Sequence, residues 1–250
     1  LGEASDVLAQ RGATNNPQAY RLYNTYTSAT NFERLNFRWD SLVAKIGTDQ
    51  GSVSGLARDL VLETSGTERV RITASGLFSA DGVSFGKGRA GIATNIAIGQ
   101  STLVKNISGS YNLAIGRNSL AENTNGNFNV AIGEASLRYS TVGSNNIAIG
   151  QNALINNIAS SYNVAVGQNS FSNLFIGAQN VSIGQSSLGG VTEADNNVAI
   201  GYNAGLYDAS LSDLVELTYN SVFIGANASA LGAFGDTNSI ALGYSARGMG

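Results

Sequence analysis

Tyrosine and acidic side chains concentrate in one short segment near the C-terminal end of the chain. They are Tyr202, Tyr207, Asp208, Asp213, Glu216 and Tyr219. Aromatic rings stack on the apolar faces of sugars, and carboxylates accept hydrogen bonds from sugar hydroxyls. We therefore take this segment as the candidate receptor-binding site, for a carbohydrate or for a loop of another protein. A cap that seals packing between chains is the structural alternative.

Three further aromatic residues end three repeats at the same position, namely Tyr111, Phe128 and Tyr162. Because the first two belong to neighbouring repeats, we predict that their rings stack. Ring stacking or packing between subunits is the simpler interpretation of this row, and contact with a saccharide is the alternative.

The residue types that most enzymes depend on are absent. The chain has no cysteine and no histidine. It therefore forms no disulfide, no cysteine zinc site, no cysteine nucleophile and no Ser-His-Asp arrangement. We predict no catalytic residues, no metal site and no cofactor.

Carboxylates are the remaining candidates for catalysis, since paired acids hydrolyse glycosidic bonds. In the regular repeats they are few and none recurs at one position: Glu122, Glu134, Glu193 and Asp195. Scattered solvated charges are the simpler interpretation. A second motif, Gly86–Gly91, spells G-x-G-x-x-G, but a strand-like segment follows it where a dinucleotide site needs a helix. We interpret it as a glycine-rich corner.

The bulk composition limits the partners. Only 12% of the 250 residues are charged, against 43% hydrophobic, so the chain either hides surface in an assembly or covers it with neutral polar groups. The net charge is −3 and no basic run exists, which argues against nucleic acid. No apolar run approaches the length of about 20 residues that a membrane helix needs, so we expect no membrane insertion.

A repeat organises the C-terminal two thirds of the chain. Each unit begins with asparagine and places a glycine four residues later, with successive glycines 17 residues apart from Gly99 to Gly201. The repeated residues are Asn95, Gly99, Asn112, Gly116, Asn129, Gly133, Asn146, Gly150, Asn163, Gly167, Asn180, Gly184, Asn197 and Gly201. A fixed period of this length predicts an all-β fold, a stacked parallel β-solenoid or β-roll of 17-residue coils. We assign residues 86–250 to it, with regular coils over 95–196 and enlarged coils over 197–250.

Each repeat position has an expected role, counting Asn95 as position one. Stacked asparagines are expected to form a hydrogen-bonded ladder, and glycine at position five suits a corner with positive φ. The aliphatic residues at positions two and four, with leucine at position nine, are expected to fill the interior. Alanine at position three should then face a neighbouring subunit or a second wall of the coil. One coil buries too little to fold alone, so stacking and association of chains are required.

Residues 1–85 lack the repeat and alternate in a strand-like pattern rich in aromatic residues. We expect a small β-rich N-terminal domain with strands in QAYRLYNTYT, NFERLNFRWD and SLVAKIG. Its aromatic residues are expected to form a core, with a sugar-binding platform as the alternative.

The repeats resemble two families. The motif NVAIG and its variants are similar to the N-x-[VI]-A-[IL]-G element of trimeric autotransporter adhesin heads, although the adhesin period is shorter. Arrays of 17 residues with leucine four residues after the glycine look more like the distal regions of tailed-phage fibres, which are often followed by an intramolecular chaperone. Residues 17–65 also resemble a segment of phage tail fibre proteins.

The tail-fibre resemblance implies a homotrimer located on the virion, outside the cell. Its implied partners are other tail proteins and a glycan or outer-membrane protein of the host surface. Two alternatives remain open at this point: a tailspike depolymerase acting on capsule or O-polysaccharide, and a bacterial trimeric adhesin head.

Overall fold

A computed structural model describes residues 9–10, 19–28, 31–40, 43–50, 59–73, 78–80, 83–88, 91–206, 217–230 and 236–248. These residues contain strands and no helix. The strands are β1 (Ala9–Gln10), β2 (Ala19–Ser28), β3 (Asn31–Asp40), β4 (Val43–Gln50), β5 (Leu60–Thr64), β6 (Thr67–Ile72), β7 (Phe78–Ala80), β8 (Val83–Gly86), β9 (Ile96–Ile98), β10 (Leu113–Ile115), β11 (Val130–Ile132), β12 (Ile147–Ile149), β13 (Val164–Val166), β14 (Val181–Ile183), β15 (Glu193–Asp195), β16 (Val198–Ile200), β17 (Leu217–Tyr219), β18 (Val222–Ile224), β19 (Ser229–Ala230), β20 (Asp236–Thr237), β21 (Ile240–Leu242) and β22 (Arg247–Gly248).

The chain divides into two compact units, residues 1–81 and residues 82–250. In the first unit, β1 to β4 form an antiparallel sheet in sequence order. Strands β2, β3 and β4 lie on the three segments predicted from the alternation. Tyr20 pairs with Phe37, and Phe37 pairs with Ile46, so these three residues are aligned across the sheet in the strand register. Strand β6 pairs antiparallel with β5 on one side and with β7 on the other.

The second unit is a stacked parallel β-solenoid, which confirms the predicted architecture. Its nine repeat strands, from β9 to β21, pair in parallel so that each residue lies beside the residue one repeat later; Ala131, for example, pairs with Ala148. The repeat period therefore equals one turn of the coil. At the N-terminal end, β8 pairs antiparallel with β9 and covers the edge of the first coil.

The predicted interior was wrong in one respect. Alanine at position three points inward and is fully buried at Ala131 and Ala148, whereas the aliphatic side chains at positions two and four point outward. The reason is strand parity, since residues one, three and five share one face of a strand. Because the side chain of asparagine at position one points inward to form hydrogen bonds across the coil, the side chain of alanine at position three also points inward. In the coil of Leu137, that leucine at position nine fills the interior from the opposite wall, so position three holds a small side chain. The buried Phe223 takes position three in a repeat whose position nine is the small Ser229.

The predicted asparagine ladder is present, and it joins backbone as well as side chains. Asn146 Oδ1 accepts a hydrogen bond from the backbone N of Asn163 at 3.0 Å, in the next coil. Asn146 Nδ2 donates to the carbonyl oxygen of Ser160 at 2.8 Å, across the same coil. The same two bonds recur at the other asparagines of the array. Each asparagine thus links two coils and also ties the two walls of its own coil together.

Backbone conformation explains why glycine recurs at position five of the repeat and leucine at position nine. Gly133 has a φ of 132°, and a Cβ atom there would lie 2.5 Å from the carbonyl oxygen of Gly150 in the next coil. Only glycine fits this corner. Leu137 has a φ of 48°, in the left-handed region that β-branched residues avoid. Leucine therefore recurs at position nine where isoleucine or valine would be strained.

The two enlarged repeats keep the stacking register. Val198 pairs with Val222, although 24 residues separate them. On the return wall, the wall of the coil opposite the repeat strands, Glu193 pairs with Leu217, which is also 24 residues later. The residues that lengthen this repeat therefore fall within 207–216, outside the described residues. The next repeat is longer by one residue, and its β18 still pairs with β21 through Val222 and Ile240.

Candidate functional site

The strands of the solenoid present an outward surface that is entirely aliphatic. We call it the apolar face and define it as the side chains at positions two and four of the nine parallel strands. Its members are Ile96, Ile98, Leu113, Ile115, Val130, Ile132, Ile147, Ile149, Val164, Val166, Val181, Ile183, Val198, Ile200, Val222, Ile224, Ile240 and Leu242. In mid-array, Ile147 is 38% exposed and Ile149 is 37% exposed. Toward the end of the stack, Ile240 and Leu242 are more than 60% exposed.

A row of polar side chains at position six borders the apolar face along one edge. Gln168 Nε2 donates to Gln151 Oε1 at 3.0 Å, one coil away. Arg117 forms an ion pair with Glu134 in the same row. In these ladders, the polar side chains at position six form hydrogen bonds or ion pairs with one another along the stack. The apolar face beside them offers no hydrogen-bonding side chain.

The opposite edge is formed by position seventeen, where the chain turns into each strand. We call this the corner row. Tyr111 and Phe128 stack there with ring centroids 4.9 Å apart and ring planes within 3° of parallel, which confirms the predicted stacking. Asn145 and Tyr162 follow at the same corner of the next two coils, and both are exposed. All four residues have φ between 56° and 62°.

The tyrosine and acid cluster proposed as the receptor-binding site is only partly described. Tyr207, Asp208, Asp213 and Glu216 lie outside the described residues. Tyr202 occupies position six, beside the apolar face, and its side chain is exposed. Tyr219 lies in β17, in a separate three-stranded sheet with β15 and β20. Of the two described tyrosines of the cluster, Tyr202 therefore lies in the turn that follows β16, whereas Tyr219 lies within a strand of a separate sheet.

Tyr219 lies against acidic neighbours. Burial raises the pKa of its hydroxyl above the ordinary value, and the charges of Glu193 and Asp195 raise it further, together with a hydrogen bond to Glu193. Asp195 pairs directly with Tyr219 in the strand register, and its Oδ1 accepts a hydrogen bond from the backbone N of Ala178 at 2.7 Å. These carboxylates hold neighbouring coils together at this end of the solenoid.

The other two carboxylates of the regular coils are also partnered between coils. Glu122 accepts a hydrogen bond from Lys105, 17 residues earlier, at 2.5 Å. Glu134 pairs with Arg117, also 17 residues earlier. Their partners lie one coil away, which is the arrangement expected of charges that support stacking.

Three further observations concern the chemistry of the described residues. They contain no group of three or more His, Cys, Asp or Glu side chains that could hold a metal ion. Within the same part of the chain, no helix has the length and hydropathy of a membrane span. The segment Gly86–Gly91 falls partly outside the described residues, and strand β9 follows it.

Comparison with protein-family models, with curated proteins and with solved structures finds no match.

Sequence reasoning missed the apolar face, because it placed those side chains in the interior. A signal for the correct parity is present in the repeat. Asparagine at position one and glycine at position five share a strand face with alanine, and a ladder of asparagines satisfies its hydrogen bonds best inside the coil. That requirement turns the aliphatic residues at positions two and four outward.

Proposed function

We propose that this chain forms a homotrimeric rod segment of a phage tail fibre, which attaches the virion to a glycan or an outer-membrane protein on the host cell surface. The proposed role is structural and adhesive, without catalysis. The sequence resemblance of residues 17–65 and of the NVAIG repeats supports the assignment to a tail fibre. The single structural observation that carries the trimer is the apolar face.

The size of the apolar face favours association with further copies of the chain. Of the eighteen aliphatic side chains, eight are 37–63% exposed and the other ten are partly exposed, which leaves on the order of 1,000 Å² of apolar surface per chain. Soluble monomers rarely expose contiguous apolar patches above a few hundred Å². Stable interfaces bury roughly 800 Å² per partner, so the face is large enough to form one.

The regular spacing of the face suits a symmetric assembly of identical chains. Each coil contributes one pair of aliphatic side chains in the same register as the coil before it. When copies of the chain lie in parallel around a common axis, the aliphatic pairs of equivalent coils meet at the same height. A rotational assembly of this kind is closed, so no copy keeps an unoccupied interface. The number three comes from the resemblance to trimeric fibres.

The trimer is tested with two matched charge substitutions. Ile149→Glu places a carboxylate on the apolar face, where three copies would meet close to the axis. Ile158→Glu is the control, since Ile158 has similar exposure at position thirteen, on the return wall of the coil. In analytical ultracentrifugation the wild type and Ile158→Glu should sediment at three times the chain mass of 25.8 kDa. Ile149→Glu should shift toward monomer, and a monomeric wild type would refute the proposal.

Attachment is tested by the binding of fluorescently labelled protein to a panel of bacterial cells. We expect saturable binding to a restricted set of strains by the wild type. Release of reducing sugars from cell-surface polysaccharide by the purified protein would contradict the non-enzymatic part of the proposal and favour a depolymerase.

A further inference from the structure

The corner row has one backbone geometry and two kinds of side chain. Tyr111, Phe128, Asn145 and Tyr162 occupy the same position of four successive coils, with φ values of 58°, 56°, 58° and 62°. Equal backbone geometry makes the four side chains leave the solenoid in the same direction. Aromatic residues fill three of the four places, and Asn145 interrupts them between Phe128 and Tyr162.

The interruption leaves a gap one ring thick. Tyr111 and Phe128 show that rings in adjacent coils lie 4.9 Å apart and parallel. Phe128 and Tyr162 are two coils apart, a rise of about 10 Å, so rings that extend from them in parallel would lie at about twice the spacing of Tyr111 and Phe128. A flat guest placed beside Asn145 would therefore contact a ring on each side at the spacing that aromatic stacking prefers, about 4.5–7 Å between centroids. Phe128 is 55% exposed and Tyr162 is 61% exposed, so the gap opens to solvent.

The backbone beneath the gap is held rigidly. The position before the corner forms its own ladder: Asn127 N donates to Ser144 Oγ at 3.0 Å, and Ser144 N donates to Ser161 Oγ at 3.0 Å. Asn145 N also donates to the carbonyl oxygen of Asn127 at 2.9 Å. This backbone fixes the positions from which the two rings extend, so less conformational entropy is lost on binding than at a mobile loop.

We propose that the gap between Phe128 and Tyr162, with Asn145 at its base, is a binding site for one neutral pyranose ring of a glycan. This proposal rests on the proposed function and names the chemistry of one of its contacts. The carbohydrate C–H faces stack on the two rings. The amide of Asn145 makes no side-chain hydrogen bond within the described residues, so its oxygen and nitrogen can accept from and donate to the sugar hydroxyls. A guest that carries hydroxyl groups therefore suits the amide of Asn145 at the base of the gap better than a wholly apolar guest.

The test fills the gap without disturbing the fold. In Asn145→Tyr, a tyrosine adopts the φ that Tyr111 and Tyr162 already have in the same row, so the variant completes the stack. Asn196→Tyr is the matched control, because Asn196 occupies the corner three coils after Asn145 with a φ of 59°. The probes are the methyl glycosides of glucose, galactose and N-acetylglucosamine, with N-acetyltyrosinamide as an aromatic probe. Binding is followed by saturation-transfer NMR.

We expect at least one glycoside to bind the wild type and Asn196→Tyr equally, and to bind Asn145→Tyr roughly tenfold more weakly, the ratio for loss of a ring contact. Tyr162→Ala should weaken the same glycoside by a similar factor, with an unchanged melting temperature. Binding of the aromatic probe alone would overturn the assignment to sugars and favour a protein partner. Equal glycoside binding by Asn145→Tyr and wild type, or no glycoside binding at all, would overturn the site.

The outcome for this site can be separated from the outcome for the proposed function. If Asn145→Tyr still binds host cells as the wild type does, the corner site is wrong while attachment through another surface stands. If the wild-type trimer binds no cells of the panel, the attachment function itself fails.

Discussion

Asn146 offers the most direct test of how the solenoid is held together. Its side chain is completely buried, and it bonds to the backbone N of Asn163 and the carbonyl oxygen of Ser160. Asn146→Ala leaves the buried backbone N of Asn163 without a partner, whereas the carbonyl oxygen of Ser160 keeps a hydrogen bond from Asn157 Nδ2 at 3.1 Å. The orphaned N–H costs about 1–3 kcal/mol and the lost bond to Ser160 about 1 kcal/mol, so we expect the free energy of unfolding to fall by about 2–4 kcal/mol. The control Asn156→Ala removes one side-chain bond, of 3.3 Å to Asn173, from a partly exposed position and should cost less than about 1 kcal/mol.

Asn146→Asp adds a pH dependence with a definite sign. The carboxylate can still accept from Asn163 N, but it faces the carbonyl oxygen of Ser160 without a proton to donate. Burial and this repulsion raise the pKa of the new carboxyl above its ordinary value in the folded state. Because the folded state then binds more protons than the unfolded state, stability is present at low pH and is lost as pH rises through the folded pKa.

The measurement is urea unfolding of wild type and variants at one fixed protein concentration, at about pH 4 and at about pH 7. Relative to wild type, Asn146→Asp should recover at least about 2 kcal/mol on acidification, whereas Asn146→Ala should not recover. If Asn146→Ala unfolds within about 1 kcal/mol of Asn156→Ala, the ladder is not a main source of stability. If Asn146→Asp follows the wild type at both pH values, its side chain is solvated and the interior is described wrongly.

Two further substitutions test the packing of the interior. Ser140 replaces asparagine at position twelve between Asn123 and Asn157, and its buried Oγ has no hydrogen-bond partner. Ser140→Asn restores the side-chain bonds that Asn123 makes and should stabilise the protein by about 1–2 kcal/mol, read as a higher melting temperature; a lower one would show that the coil has no room for it. Ala131→Leu should overpack the coil against Leu137 and cost about 1–3 kcal/mol, whereas a wild-type melting temperature would place position three outside the interior.

The repeat determined much of this fold without any structure. A period of 17 residues with no drift over six intervals means that each coil stacks on the next in one register, and the parallel pairing of Ala131 with Ala148 is its direct consequence. The glycine at each corner and the stacking of Tyr111 on Phe128 follow from the same period. All of these features depend only on which residue types recur at each repeat position, and this recurrence can be read directly from the sequence.

The direction in which each side chain points was decided by the tertiary structure. Alternation says that Asn146, Ala148 and Gly150 share one face and that Ile147 and Ile149 share the other, but it does not say which face is inside. The usual rule that aliphatic residues are buried favours the second choice. The structure shows the first, because Asn146 satisfies two backbone groups across and between coils, and the coil is too narrow for larger side chains beside Leu137.

The functional consequences follow from that choice. With Ile147 and Ile149 outside, the array carries a long apolar face that a pattern alone assigned to its core. The gap at Asn145 likewise depends on the rise from one coil to the next, which sets the distance between Phe128 and Tyr162 and is a property of the stacked backbone. A repeat specifies which positions are equivalent, whereas the inside, the outside and the spaces between side chains arise only when the coils close and stack.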